Sequence, residues 1–164
     1  MKFGIYVHIP YCLQQCPYCD FATVEFNHPV TREDYTNILL QEIRSRNHAV
    51  PYKEVSTLYF GGGTPSLAGP KNIAAVINEL KIYFDFSTAE EVTLEINPGT
   101  VTPEQLDEYI AMGITRYSVG LQTFNSKLLK AIGREHSPKD THETLALLNS
   151  RNVLYTVDLL FALP

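Results

Sequence analysis

Short apolar runs alternate with helical stripes along the chain. The first run covers residues 3–9, and later runs cover 55–60, 91–96, 114–122 and 153–161. Runs of this length, rich in β-branched and aromatic residues and bounded by turn residues, are typical of buried strands. The pattern therefore predicts five strands.

Helical patterns fill the spaces between these strands. Their starts are marked by capping or first-turn residues, namely Thr31 with Asp34, Pro70, Thr102 with Gln105, and Ser137 with Asp140. The first two helices carry apolar stripes at Tyr35, Ile38, Leu39 and Ile43, and at Ile73, Val76, Ile77, Leu80 and Phe84. Gly113 is expected to end the third helix. Strand, loop and helix recur roughly every 30–40 residues, which indicates parallel βαβ units of the α/β class.

Two architectures satisfy these units, a (β/α) barrel and an open doubly wound sheet. In both, the loops after the strand C-termini carry the functional site. Here those loops are polar or rich in glycine, and they include a cysteine loop, "GGGTP", "NPGT" and "QTFN". The chain ends where the fifth strand ends, with no helix to cover it. We therefore expect residues 1–164 to be the N-terminal part of a domain whose remaining barrel strands and C-terminal domain are absent.

Composition narrows the classes of function. The chain has 164 residues, 45% hydrophobic and 19% charged, with a net charge of −5. This acidic balance argues against nucleic acid as a partner. No apolar run approaches the roughly 18 residues that span a bilayer, and the N-terminus lacks the pattern of a signal peptide. The sequence predicts a cytoplasmic protein, in which clustered thiols stay reduced and more often bind metal than pair.

All three cysteines lie within eight residues. Cys12, Cys16 and Cys19 follow the spacing C-x3-C-x2-C. A four-iron cluster usually has four thiolate ligands, so three would leave one iron open to a substrate or cofactor. Two other interpretations remain open at this point. One is a zinc site completed by His8 or His28, and the other is a set of ordinary buried cysteines.

Six segments in consistent order carry a resemblance that extends over the whole chain. They are "YVHIPYC", "CPYCDF", "GGGTPS", "LEINPGT", "GLQTFN" and "DLLFALP". The cysteine motif after the first strand resembles the radical S-adenosylmethionine (SAM) superfamily. The complete series resembles the family of oxygen-independent coproporphyrinogen III oxidase and the HemW-like haem chaperones. This resemblance implies a partial (β/α) TIM-type barrel with parallel strands, helices outside, and truncation after the fifth strand.

The resemblance also implies two cofactors. Cys12, Cys16 and Cys19 match the ligands of a [4Fe–4S] cluster, and SAM chelates the open iron. Reduction of that cluster cleaves SAM to methionine and a 5′-deoxyadenosyl radical. The positions that match SAM contacts are Tyr6, Gly62, Gly63, Thr64, Glu95, Gln122, Arg134 and Asp158.

Several of these residues also have purely structural interpretations. The glycines from Gly61 onward could form only a tight turn. Glu95 could be paired with Arg116, since a carboxylate is costly to bury without a partner. Arg134 could be a solvated surface charge, and Tyr6 could be a core residue.

One difference from the sequence pattern of the oxidase separates two branches of the family. The oxidase carries another cysteine two positions after its third cluster ligand, where this chain has Phe21. This favours a HemW-like haem chaperone, with haem as a further ligand. The main alternative is an authentic oxidase, which decarboxylates two propionates of coproporphyrinogen III. Another alternative is an iron–sulfur electron-transfer module. The family also implies an electron donor such as flavodoxin or ferredoxin. His8 and His28 could be offered as haem ligands, without support from the residues themselves.

Overall fold

The computed structural model describes residues 1–163, so Pro164, the last residue of the "DLLFALP" segment, lies outside the described residues. The strands are β1 (Phe3–Ile9), β2 (Tyr11–Cys12), β3 (Val24–Glu25), β4 (Val55–Gly62), β5 (Glu91–Ile96), β6 (Arg116–Gln122) and β7 (Leu154–Leu159). The α-helices are α1 (Arg32–Arg46), α2 (Pro70–Tyr83), α3 (Pro103–Met112), α4 (Ser126–Ala131) and α5 (Pro138–Ser150). Short 3₁₀ turns cover Asn47–Ala49 and Pro65–Ala68.

Five strands form one parallel sheet in the order β1-β4-β5-β6-β7. Neighbouring strands in this sheet are successive βαβ units, so the predicted α/β architecture with a partial barrel is confirmed. The five predicted strands all form, and β1 and β5 have the predicted ends. The strands β6 and β7 are shorter than predicted, whereas β4 continues through Gly61 and Gly62 because both pair with β1. A second, two-stranded ladder joins β2 to β3 and was not predicted.

The two faces of the sheet differ in polarity because side chains alternate along each strand. One face packs on the helices and forms the core, which includes Val7, Ile9, Leu58, Phe60, Leu94, Ile96, Tyr117 and Val119. The opposite, concave face carries polar side chains, which include Tyr6, His8, Tyr59, Glu95, Ser118, Gln122 and Asp158. The functional side chains therefore share the face that the helices leave uncovered.

The helix ends follow the capping signals. Thr31, Thr102 and Ser137 each form a complete capping box with the residue three positions later. Gly113 ends α3 with a φ of 104°, in the left-handed region. Within residues 1–163, no helix is both long enough and apolar enough to span a membrane.

One residue of the predicted apolar stripe on α1 faces solvent instead of the core. Ile38 is 52% exposed, whereas Tyr35, Leu39 and Ile43 pack against the core. The Tyr35 hydroxyl also donates to the His8 carbonyl of β1 at 2.9 Å. This bond turns Tyr35 toward the sheet, and Ile38 faces outward. Ile38 therefore falls at the helical spacing of the stripe without joining the core.

Candidate functional site

A cleft of about 150 Å³ opens at the C-terminal ends of β4, β5, β6 and β7, beside the cysteine loop. Every predicted site residue except Tyr6 lines it, namely Cys12, Cys16, Cys19, Gly62, Gly63, Thr64, Glu95, Gln122, Arg134 and Asp158. These residues come from six separate loops or strand ends. The fold therefore brings the predicted set together at the position expected for an α/β site.

The cysteine loop contacts the loop that follows α4. All three thiols are free. The buried Cys16 donates its Sγ–H to the Gly133 carbonyl at 3.5 Å. A Cβ at Gly133 would lie 2.7 Å from Pro17 Cδ, so only glycine allows this close approach. The loop is therefore ordered around its thiols by contacts with a distant part of the chain.

The three thiols suit an iron–sulfur cluster, because thiolates are the usual ligands of such clusters. Within residues 1–163, no three Cys, His, Asp or Glu side chains converge closely enough to hold one metal ion. The His8 ring is occupied, with Nε2 at 2.7 Å from the Ala22 carbonyl and Nδ1 at 3.1 Å from the Tyr6 hydroxyl. His28 Nδ1 accepts from the Val30 amide at 3.2 Å. A cubane cluster binds each thiolate through a different iron, so its ligands do not need to meet at one point.

The same contacts weaken His8 as a haem ligand. The Ala22 carbonyl can only accept, so His8 Nε2 donates to it, and in the neutral ring Nδ1 then accepts from the Tyr6 hydroxyl. Neither nitrogen is free to coordinate iron. The Nδ1 atom of His28 accepts from Val30, which leaves Nε2 outside that bond. Among residues 1–163, no contact of His28 indicates a haem site.

The glycines after β4 have a packing role as well as a place at the cleft. A Cβ at Gly63 would lie 2.6 Å from the carbonyl oxygens of Pro10 and Tyr11. The Gly63 amide donates to the Ile9 carbonyl at 2.9 Å, and the Thr64 amide donates to the Tyr11 carbonyl at 2.8 Å. The glycine loop therefore lies directly against the start of the cysteine loop, and a tight turn alone does not account for it.

Glu95 is held by two donors. Tyr59 donates its hydroxyl to Oε1 at 2.7 Å, and the Gly62 amide donates to Oε2 at 3.1 Å. Burial raises the pKa of Glu95, and these two hydrogen bonds oppose that rise. Arg116 instead pairs with Glu91 at 3.0 Å. The alternative pairing of Glu95 with Arg116 was wrong, because the Arg116 side chain extends toward the opposite end of β5.

Arg134 reaches into the cleft rather than into solvent. Its Nη2 donates to the Gly120 carbonyl at 3.0 Å. Its Nε is buried and has no hydrogen-bond partner among residues 1–163. A buried donor without a partner is costly. Arg134 therefore brings a positive charge to the cleft that the thiols also line, where an anionic ligand group could pair with it.

Gln122 and Asp158 complete the far side of the cleft. Gln122 is buried and adopts a φ of 67°, in the left-handed region that non-glycine residues rarely occupy. Such strain persists only where the surroundings enforce it, and it is concentrated at functional sites. The Ser118 hydroxyl lies 3.5 Å from Asp158 Oδ2.

Tyr6 is the one predicted residue outside the cleft. It is 58% exposed on the concave face, and its ring stacks on Tyr59 with centroids 6.1 Å apart. Tyr6 therefore lies beside the cleft and contacts Tyr59, the residue that donates to Glu95. It is neither the core residue of the alternative interpretation nor a lining residue.

Two of the lining residues that were missed from the sequence, Asn97 and Gly120, contact the predicted ones. Asn97 donates its side-chain amide to Thr64 Oγ1 at 2.8 Å, and that hydroxyl lies 4.0 Å from Cys12 Sγ. Gly120 leaves room for this network, because a Cβ there would lie 2.5 Å from Asn97 Oδ1. Both residues belong to the quoted segments "LEINPGT" and "GLQTFN", which were the available signal.

Comparisons with known proteins place this geometry in a family. Residues 6–164 match the Radical SAM superfamily. The chain is 35% identical to the Heme chaperone HemW of Haemophilus influenzae and 33% identical to that of Escherichia coli, in each case over 98% of this chain and 43% of the relative. Among solved structures, coproporphyrinogen III oxidase (HemN) from Escherichia coli aligns with a TM-score of 0.90 at 28% identity, covering 99% of this chain and 38% of that one.

The chain thus spans about two fifths of the length of these relatives. The family match covers nearly every described residue and includes all three cysteines and the whole cleft. The chain belongs to the radical SAM superfamily.

Proposed function

We propose that the cleft holds the [4Fe–4S] cluster and the SAM that membership of this superfamily implies. Cys12, Cys16 and Cys19 are the cluster ligands, and the other predicted lining residues bind SAM. The observation that carries this proposal is that three free thiols and the glycine loop line one cleft with Glu95. When bound, the cluster and SAM supply reductive cleavage of a carbon–sulfur bond in SAM.

The charges around the cleft complement those of SAM. SAM carries an ammonium group, a sulfonium group and a carboxylate. Glu95 and Asp158 offer carboxylates to the cationic groups and to hydroxyl donors, while the Arg134 guanidinium offers a positive charge to the anionic group. The partly buried setting strengthens these interactions relative to water. An iron–sulfur module that only carried electrons would not need this set of charges.

Anaerobic reconstitution with iron and sulfide, followed by SAM titration, tests this proposal. We expect about four irons per chain, since three thiolates with one open iron suit a cube, and saturable SAM binding that depends on the cluster.

For the whole protein we infer the role of a HemW-like haem chaperone. Two relatives that match this chain are named heme chaperones. Phe21 supports this inference, because it lies on the cleft wall with 67% of its surface exposed, at the position where the oxidase has its additional cysteine. An aromatic ring provides no thiol there. An electron donor such as flavodoxin or ferredoxin and a cytoplasmic location stay predictions.

The distinction from the oxidase predicts a specific negative result. The full-length protein should bind haem and pass it to an acceptor, and it should not convert coproporphyrinogen III, even with reduced cluster and SAM present. Porphyrin chromatography after anaerobic incubation measures this. The control is the oxidase from Escherichia coli under the same conditions. Accumulation of protoporphyrinogen over many turnovers would show that the protein is an oxidase despite Phe21.

A further inference from the structure

The two oxygens of the Glu95 carboxylate have different partners. Oε1 accepts from the Tyr59 hydroxyl at 2.7 Å, and Oε2 accepts from the Gly62 amide at 3.1 Å. A carboxylate has about four lone-pair sites. These two bonds leave the remaining sites for a ligand in the cleft, and they fix the direction in which the sites point. Tyr59 itself does not line the cleft, so it acts on a ligand only through Glu95.

Gly61 makes this contact possible. A Cβ at Gly61 would lie 2.8 Å from the Tyr6 ring, 2.9 Å from the Tyr59 ring and 3.2 Å from Glu95 Oε1. All three distances are shorter than ordinary van der Waals contact. The first glycine of the "GGGTPS" segment is therefore required for these three side chains to meet, and its place in the motif does not depend on touching a ligand.

Tyr59 is supported in turn by a chain of contacts that ends beside the cysteine loop. Its ring stacks on Tyr6 with an interplanar angle of 21°. The Tyr6 hydroxyl donates to His8 Nδ1 at 3.1 Å, and His8 Nε2 donates to the Ala22 carbonyl at 2.7 Å. Ala22 follows Cys19 by three residues. The stack on Tyr6 supports the Tyr59 ring, and the Tyr59 hydroxyl points at Glu95.

We propose that Tyr59 is a positioning residue for SAM binding, which fixes the orientation of the Glu95 carboxylate through its hydroxyl, with Gly61 providing the space. The inference rests on the proposed function of the cleft. It assigns to Tyr6 an indirect role, as the ring on which Tyr59 is stacked.

The electrostatics of the site give this role a measurable signature. Burial raises the pKa of Glu95, the bonds from Tyr59 and Gly62 lower it, Asp158 raises it and His8 lowers it. Removing the Tyr59 hydroxyl leaves the other contributions in place, so the pKa of Glu95 rises further. Because a protonated Glu95 accepts fewer hydrogen bonds, SAM binding should then be lost at a higher pH as the solution is acidified.

The test is Tyr59→Phe in the cluster-loaded chain, with SAM affinity measured by equilibrium binding. Phe keeps the ring that stacks on Tyr6 and deletes only the hydroxyl. We expect affinity to fall about two- to twelvefold, the range that loss of one hydrogen bond typically produces. Tyr155→Phe is the matched control, because it loses a hydroxyl bond to Asn149 on the surface and should leave affinity unchanged.

A second arm separates positioning from direct contact. If Tyr59 acts through Glu95, Tyr59→Phe should have no further effect on SAM affinity in a Glu95→Ala background. A ¹³C NMR titration of the Glu95 carboxyl, in the chain without cofactors, should show a higher pKa in Tyr59→Phe than in the wild type. Unchanged affinity, additive losses in the double variant, or an unchanged pKa would each overturn the inference. Failure of the loaded wild-type chain to bind SAM would overturn the proposed function and this inference with it.

Discussion

Replacing any one of Cys12, Cys16 and Cys19 with alanine will abolish stable iron loading. The chain has only these three cysteines, so no spare thiolate can substitute for a lost ligand. Two thiolates would leave two irons of a cube without protein ligands, and such a cluster is released or degraded. Iron and sulfide analysis after anaerobic reconstitution measures the loss. The wild-type chain should hold about four irons.

Gln14→Ala is the matched control for this series. Gln14 is exposed in the same loop and offers no ligand to soft metals, so iron content should stay at the wild-type value. Cys16 is buried and contacts Gly133, so its variant should also be checked for folding by circular dichroism. Tight stoichiometric zinc binding, with no uptake of iron under anaerobic conditions, would contradict the cluster assignment.

The second large effect concerns the SAM side of the cleft. Glu95→Ala and Gln122→Ala should each weaken SAM binding and leave iron content near the wild-type value, because neither side chain is placed as a cluster ligand. Deleting a hydrogen bond to a charged group typically costs about 1.5–3 kcal/mol, which corresponds to roughly ten- to 150-fold in affinity. Equilibrium binding of SAM to the loaded variants measures this loss.

Glu91→Ala provides the control on the same strand. Glu91 is paired with Arg116, and it does not line the cleft, so SAM affinity should not change. Unchanged affinity in both Glu95→Ala and Gln122→Ala would contradict the assignment of the pocket. Failure of the Glu95 variant to fold would instead favour a structural role, since Glu95 joins Tyr59 to the glycine loop.

Local signals in the sequence predicted most of the fold. The capping pairs and Gly113 depend only on neighbouring residues, and all of them form as expected. The predicted ends of the strands were less accurate, because the extension of β4 through Gly62 depends on its pairing with β1. The exposure of Ile38 likewise depends on which side of α1 meets the sheet, and periodicity alone did not reveal it.

The candidate site likewise has features that could be predicted from local sequence and features that depend on contacts between distant residues. The cysteines and the polar strand ends could be predicted because parallel strands bring their C-terminal loops to one edge. The contact between Tyr59 and Glu95 could not be predicted, because the two residues are 36 positions apart and meet only across adjacent strands. The alternative pairing of Arg116 with Glu95 was wrong for a related reason. The two residues lie on neighbouring strands, but the Arg116 guanidinium extends to Glu91.

The central claim is that three thiolates hold a four-iron cluster with one iron open to SAM in this cleft. Electron paramagnetic resonance of the reduced, reconstituted chain, recorded with and without SAM, tests it most directly. The account predicts a [4Fe–4S] signal whose shape changes on addition of SAM, and a change that is lost or greatly weakened in Glu95→Ala. A cluster signal that stays the same at saturating SAM in the wild-type chain would contradict the account.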